Sequence, residues 1–387
     1  MLKKVLCILL CMVMGVAVFS ACTSETPEQG SAPASEAATA SESTAQESSG
    51  GSEAAAAGET TDYGVLVGPA EGLTEDDYKF DGIFGGMTVF SDPMPLGAEQ
   101  AAQELGIPTP GFFSPQNWDQ NEQNSILDGL IAKGSTGLYL MPSNATAGNE
   151  QITKMADAGI VIVTVGGEPD TPTKSTLTLA TDVYQQAYEG TKHIIEKLKA
   201  DGVTEGKIVN LTGDISDPNT AKRIQGCEDA CAENEGFSIV QSISDIDNSE
   251  DSMTAVENLL ASSGKEINGI MCTAYYPAIA VAKQLTDEYS HIVAVGCDAD
   301  ESVVTAIQEG RMYGTMRQNP WGQGYLATIT LKMLKDGWTF NNGEYQYINA
   351  GCYFLDSSNI DQEEQVCKDG TMELLATWTD RFTPPAA

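Results

Sequence analysis

VFSDP (89–93), SNA (143–145), GGEPD (166–170), GDISDPN (213–219), DIDN (245–248), AYY (274–276), CDAD (297–300) and RQNPW (317–321) each follow an apolar run. These short stretches concentrate Asp, Asn, Arg and aromatic residues. Such a set suits non-covalent capture of a neutral polyhydroxyl ligand. Each hydroxyl taken from water must find a partner, and the C–H face of a ring stacks on an aromatic. The same set does not suit catalysis. There is no GxSxG, HExxH or P-loop. His193 and His291 are the only histidines, and neither falls in these stretches. Asp298 and Asp300 form a carboxylate pair, but nothing near them in sequence points to a shifted pKa. An enzyme is not expected, and neither is a cofactor. Zinc is not expected either, because the chain has no CxxC.

The elements that would position these stretches are legible from Lys79 onward. Strands are predicted over 82–89, 109–114, 137–143, 160–166, 207–213, 238–243, 267–273, 292–298 and 313–318. Several are apolar on successive residues, as strands covered on both faces must be. Helical patterns fall between them, at 97–105, 121–132, 149–158, 183–200, 220–233, 251–262, 277–289 and 301–309. Strict alternation implies βαβ units and parallel sheets. In such sheets ligands bind beyond the carboxyl ends of the strands, which is where the polar stretches lie.

Before these elements comes a leader. Lys3 and Lys4 precede an apolar run from Val5 to Phe19, then the small residues Ser20 and Ala21. This is the layout of a secretory signal, and the run is shorter than the roughly 20 residues of a spanning helix. From Thr23 to Asp62 there is no Val, Leu, Ile, Met or aromatic residue, so an extended, disordered acidic tether is expected. Leader and tether together leave roughly 310 of the 387 residues, enough for two lobes. The formal charge of −35 repels phosphate and excludes nucleic-acid binding. Of nine cysteines, Cys7 and Cys11 leave with the leader. Cys227 and Cys231 are i,i+4 on a predicted helix, a poor geometry for a bridge. Cys272 and Cys297 read as core residues, and Cys352 with Cys367 is the best candidate disulfide.

Two resemblances add to this reading. Phe19-Ser20-Ala21-Cys22 resembles a bacterial lipobox, which implies that Cys22 is lipidated and anchors the chain to the outer face of the cell membrane. Phe19 stands where the lipobox usually has Leu, and the alternative is an ordinary cleavage near Ala21 with Cys22 incidental. Over roughly 80–345 the chain resembles the type I periplasmic-binding-protein family, the ribose-binding-like receptors of bacterial ABC importers. The matching stretches are GAEQAAQELGI (97–107), KMADAGIVIVTV (154–165), LATDV (179–183), AKRIQGCEDA (221–230), VAVGCDAD (293–300) and GTMRQNP (314–320).

The resemblance implies an α/β fold of two doubly wound parallel-sheet lobes joined by a multi-strand hinge. Its expected boundaries are a signal peptide over 1–21, a tether over 22–62, a first lobe of 80–181 plus 319–340, and a second lobe of 182–318 plus 341–387. It also implies site residues. Arg223 matches the cleft arginine, against the alternative of a surface arginine on an amphipathic helix. Asp298 matches an acceptor of sugar hydroxyls, against the alternative of a helix cap. Gln318 matches a cleft amide, and Phe90, with its neighbours Ser91 and Asp92, matches an aromatic after the first strand.

The chain departs from the family at Gly166 and Gly167, where many of its sugar receptors carry an Asp-Arg pair. A cleft Asn falls near Ala274, and a cleft aromatic near Ile246. The two glycines leave room for a larger or flatter ligand, with Tyr275, Tyr276 and Trp321 as walls or as ordinary core and rim. The expected function is a monomeric, membrane-anchored solute receptor that delivers a monosaccharide to an ABC permease and its ATPase. The alternatives are a sensor presenting ligand to a membrane kinase or chemoreceptor, or a receptor for a nucleoside, purine or furanose signal. A repressor is excluded because a leader and an acidic tether stand where its DNA-reading helices would be. The residues after Gln362 have no functional reading.

Overall fold

A computed structural model describes residues 58–385, apart from Thr88 and Ser216. The leader, Cys22 and the tether up to residue 57 lie outside the described residues. The first half runs β1 (Phe80–Ile83), α1 (Pro93–Leu105), β2 (Gly111–Phe113), α2 (Gln120–Lys133), β3 (Gly137–Leu140), α3 (Ala145–Asp157), β4 (Val161–Val165) and β5 (Leu177–Ala180). It continues with α4 (Val183–Ala200), β6 (Gly206–Leu211), α5 (Pro218–Ala232), β7 (Phe237–Ile243), α6 (Ser249–Ser263), β8 (Gly269–Cys272), α7 (Tyr275–Gln284), β9 (Val293–Cys297), α8 (Glu301–Gln308) and β10 (Gly314–Gln318). The remainder is α9 (Pro320–Lys335), β11 (Thr339–Phe340), β12 (Gln346–Asn349), β13 (Cys352–Asp356), α10 (Glu363–Leu375) and β14 (Phe382–Thr383).

The strands form two six-stranded sheets with matching order, β12-β5-β4-β3-β1-β2 and β13-β10-β9-β8-β6-β7. Every pairing in them is parallel except β10 with β13. Helices cover both faces of each sheet. In the first lobe, α1 and α9 build one core with Tyr139, Val163 and Leu179, while Leu127 of α2 and Ile152 of α3 build another with Ile83 and Leu138. In the second, α6, α7 and α8 lie on one side and α4 and α5 on the other. Burial on both faces explains why the strands read as continuous apolar runs.

Strand-to-helix turns are fixed by Asx caps. Asp119, Asn144, Asp182, Asp217, Asn248, Asp300 and Asn319 each accept a backbone N–H from the first turn of α2, α3, α4, α5, α6, α8 and α9 respectively. α1 begins at Pro93, earlier than the apolar periodicity suggests, because proline at the first helical position gives up no hydrogen bond.

The chain passes between the sheets at 180–182, 318–319 and 349–352. Two of these crossings are tied together. The Tyr347 hydroxyl donates to the Thr181 carbonyl at 2.7 Å, and the Asp182 N–H donates to Asn349 Oδ1 at 3.2 Å. β5, β10 and β12 all leave their sheets at their carboxyl ends, so the carboxyl edges of both sheets face the crossovers and each other.

The segment after residue 340 serves both lobes. β12 joins the first sheet and β13 the second, and Trp378 and Phe382 finish the first lobe's core. That differs from the grouping of 341–387 with the second lobe expected from sequence. The reason is that β12 supplies the first sheet's outer strand beside β5. The first lobe also draws in residues before 80, with Val65 and Tyr78 fully buried in its core. Among the described residues, no helix is long and apolar enough to cross a membrane.

Candidate functional site

The loops past the carboxyl ends of the strands gather an unusual set of exposed apolar side chains. Met87 and Val89 follow β1, Trp118 follows β2, Ile215 follows β6 and Tyr276 follows β8, and all are exposed. Leu96, Val240 and Met372 are exposed elsewhere, but these five all lie just past the carboxyl ends of strands, where apolar groups left wet suit a surface that becomes covered. Trp118 is fixed there. Its indole lies on Gly85 and Gly86, where any Cβ would meet the ring at 2.9 Å and 2.5 Å. Its Nε1 donates to the Ser143 carbonyl at 3.1 Å, and Phe84 meets it edge-on at 5.8 Å. The polar stretches quoted above include none after β2, between 93 and 143, which is why their pattern misses Trp118. The signal that could have found it is the glycine pair after β1, which only a large flat neighbour requires.

In the second lobe, the Arg223 side chain rises from α5, mostly buried, with Nη1 3.7 Å from Asp217 Oδ2. Its Nε is buried with no hydrogen-bond partner among the described residues. A buried, unpaired guanidinium N–H is costly unless something arrives to accept it. The Asp247 carboxyl nearby is raised above its ordinary 3.8; lost hydration is the largest cause, Arg223 pulls it back, and Asp217 and Asp214 push it up.

Asp298 is not the cap of α8, which is Asp300. It sits at φ 62° at the end of β9, 4 % exposed. Its Oδ1 accepts the Gln318 backbone N–H at 3.1 Å, and its Oδ2 accepts Gln318 Nε2 at 3.0 Å. Arg317 Nη1 stands 3.7 Å from Oδ1. Asp298 and Gln318 therefore form one unit at the crossover, with Arg317 as a partner that sequence did not single out. The Tyr275 hydroxyl donates to Asp300 Oδ2 at 3.0 Å, and its ring meets Tyr276 edge-on at 5.5 Å. Burial raises the Asp300 carboxyl, but hydrogen bonds from Ser302 and Tyr275 outweigh it and leave the group below its ordinary value.

Other expected residues have different surroundings. Phe90 packs on Phe84 at 5.9 Å, Ser91 is buried, and Asp92 is exposed at the start of α1. Gly166 adopts φ 70°, and a Cβ there would meet Met141 Sδ at 2.8 Å and Phe84 at 3.0 Å. The room beside Gly166 and Gly167 is thus filled by Met141 and Phe84 rather than left for a ligand. Trp321 is buried in the first lobe's core, stacked on Tyr325 at 4.9 Å with Lys368 Nζ 5.4 Å from its ring. It is spent on packing and is not a wall of the crevice. Cys352 and Cys367 are both free, and the Cys367 thiol faces the Gln318 carbonyl at 3.7 Å, where burial pushes it up to about 11.

Two cavities lie elsewhere. One of about 220 Å³ is lined by Lys79, Asp81, Gly111 and Ser135, and one of about 600 Å³ by Lys197, His291 and Tyr313. Both open at the amino ends of the strands. Among the described residues, no group of three or more His, Cys, Asp or Glu side chains is placed to hold a metal.

Two α/β lobes, each built on a six-stranded sheet and joined by several crossovers, have the architecture of type I periplasmic binding proteins. Residues 84–338 match the family described as a periplasmic binding protein domain, and the chain belongs to that family of non-enzymatic solute-binding proteins. A D-apiose import binding protein of Actinobacillus succinogenes is 22 % identical over 266 residues, covering 68 % of this chain and 83 % of the relative. The ribose import binding protein of Bacillus subtilis is 22 % identical over 232 residues, covering 60 % and 73 %. Among solved structures, an ABC transporter solute-binding protein of Burkholderia graminis in complex with D-arabinose superposes with a TM-score of 0.64 at 22 % identity. That alignment covers 75 % of this chain and 99 % of the other.

Proposed function

We propose that this protein captures a monosaccharide between its lobes outside the cytoplasm and hands it to an ABC permease. The observation that carries the reading is Arg223, a guanidinium with a buried, unpaired Nε beside the carboxyl edge of the second sheet. Its planar fork can donate to two ligand oxygens at once. Asp298 and Gln318 offer an acceptor and an amide at the same edge, and Trp118 and Tyr276 offer flat faces for a sugar ring. The carboxylates of Asp217, Asp247 and Asp300 disfavour an anionic guest, so a neutral polyol fits best. The relatives named for D-apiose and ribose, and the neighbour holding D-arabinose, favour the same class.

We read Cys22 as the lipid anchor and the acidic stretch after it as a leash. A thermal-shift screen against D-ribose, D-arabinose, D-allose, D-apiose, xylitol, nucleosides and purines tests the ligand class. A ligand at a hundred times its dissociation constant stabilises the fold by about 2.7 kcal/mol. A shift with nucleosides or purines alone would refute the sugar reading.

A further inference from the structure

The residues from Ile360 onward bridge the two lobes. On one side, Ile360 and Val366 pack into the second lobe's core. On the other, Leu375, Trp378 and Phe382 are buried in the first lobe's core, and β14 pairs with β11. Between these ends, α10 lies along the 318–319 crossover. Asn319 Nδ2 donates to the Cys367 carbonyl at 3.0 Å and to Thr371 Oγ1 at 2.8 Å. The helix sits so close to β13 that a Cβ at Gly370 would fall 1.9 Å from the Tyr353 hydroxyl oxygen.

The first residue of α10 reaches the candidate site through one intermediary. Arg317 Nε donates to Glu363 Oε2 at 2.8 Å, while its Nη1 stands 3.7 Å from Asp298 Oδ1. All three side chains are largely buried. Burial works against the Arg317 charge, but Asp298 and Glu363 outweigh it and raise its pKa. With Glu363 present, the guanidinium is shared between two carboxylates. Without it, Asp298 would be the one carboxylate left beside Arg317, and the guanidinium would compete for the lone pairs that the two Gln318 hydrogen bonds leave on Asp298.

We propose that the segment from Glu363 to Thr383 is a clasp across the hinge, and that Glu363 is a positioning residue that keeps Asp298 open to ligand by holding Arg317 aside. Lobe closure changes backbone angles at the crossovers, so a helix bonded to residues 317–319 moves with that change or resists it. The positioning role rests on the sugar reading above; the clasp does not.

The test compares Glu363→Gln, Glu363→Asp and, as a control exposed on the same helix, Glu373→Gln. Affinity is measured by calorimetry with D-ribose, D-arabinose and D-allose, and backbone exchange at 314–320 by hydrogen–deuterium exchange without sugar. Glu363→Gln should weaken binding about tenfold, in line with a lost charge-assisted hydrogen bond. Its melting temperature should stay near the parent's, Glu363→Asp should restore most of the affinity, and Glu373→Gln should match the parent. Parent affinity in Glu363→Gln, or a loss that tracks melting temperature and is not rescued by Glu363→Asp, would overturn the positioning role. If the parent responds to no sugar or polyol of the thermal-shift panel and only to nucleosides or purines, the sugar reading fails instead. The clasp is then judged by exchange alone: faster exchange at 314–320 in Glu363→Gln but not in Glu373→Gln supports it, and unchanged exchange overturns it.

Discussion

Gln318 holds Asp298 with both of its donors, the backbone N–H on one carboxylate oxygen and the side-chain amide on the other. One residue belongs to the last turn of β9 into its loop and the other to the crossover between lobes. The carboxylate at the end of β9 and the backbone of the crossover are therefore held as one unit.

Replacing Asp298 separates charge from conformation. Asn tolerates the positive φ at this position but sets an NH2 donor where one of the two Gln318 donors now finds an oxygen. Asp298→Asn should bind sugar roughly ten- to a hundredfold more weakly, the range expected for a lost hydrogen bond to a charged group. Asp298→Ala should lose affinity and also melt lower, since an ordinary side chain at positive φ costs on the order of 1 kcal/mol. Calorimetry and thermal denaturation of the two variants read these effects separately.

Arg223→Ala should abolish measurable sugar binding, and Arg223→Lys should fail to restore it, because an ammonium does not reproduce a planar two-pronged donor. The same change removes the cation that pulls the Asp247 carboxyl down, so that pKa should rise further above 3.8 in an NMR titration. A carboxyl raised in the folded state binds its proton more tightly there than in the unfolded chain. Its contribution to stability therefore falls as pH climbs from the unfolded value through the folded one. Asp247 is exposed by area, so that loss is small.

Trp118 should report ligand directly. It is the exposed one of the four tryptophans, in the loop past the carboxyl end of β2. Sugar should shift the protein's fluorescence, and Trp118→Phe should remove most of that shift while keeping some affinity. Gly86→Ala should produce a similar loss with the indole chemically intact, because its Cβ would fall 2.5 Å from a ring carbon and displace the ring. An unchanged spectrum in both variants would take Trp118 out of the site.

The tail should matter for stability as well as for the hinge. Trp378 is fully buried, and its Nε1 donates to Thr330 Oγ1 at 3.2 Å. Trp378→Ala should destabilise by about 3–5 kcal/mol, the usual range for emptying a large aromatic site. Urea denaturation followed by circular dichroism gives the value.

Much of the fold could be read from residue order because most strands are covered on both faces and their helices on one. α9 broke that rule. Nearly every residue of PWGQGYLATITLKMLK is buried, so it shows no polar face and no helical periodicity. β5 was hidden for another reason: LTLA is short and leads straight into the 180–182 crossover. The site was harder. Asp and Asn after strands suit sugar hydroxyls and helix caps alike, and Asp217, Asp300 and Asn319 are caps here. Asp298 alone could not be told from a cap until its φ and its bonds to Gln318 were seen. The aromatics divided in the same way. Trp321 turned inward to Tyr325, while Trp118, outside the recognisable stretches, took the exposed place.

The core that begins at Val65 is closed by Trp378 and Phe382. A nascent chain emerges amino end first, so its opening lobe must wait, unfinished, until residues 378–382 have been delivered. Completion of the first lobe thus follows synthesis of the second, and a chain interrupted before Trp378 would present an unsealed lobe to whatever quality control surveys it.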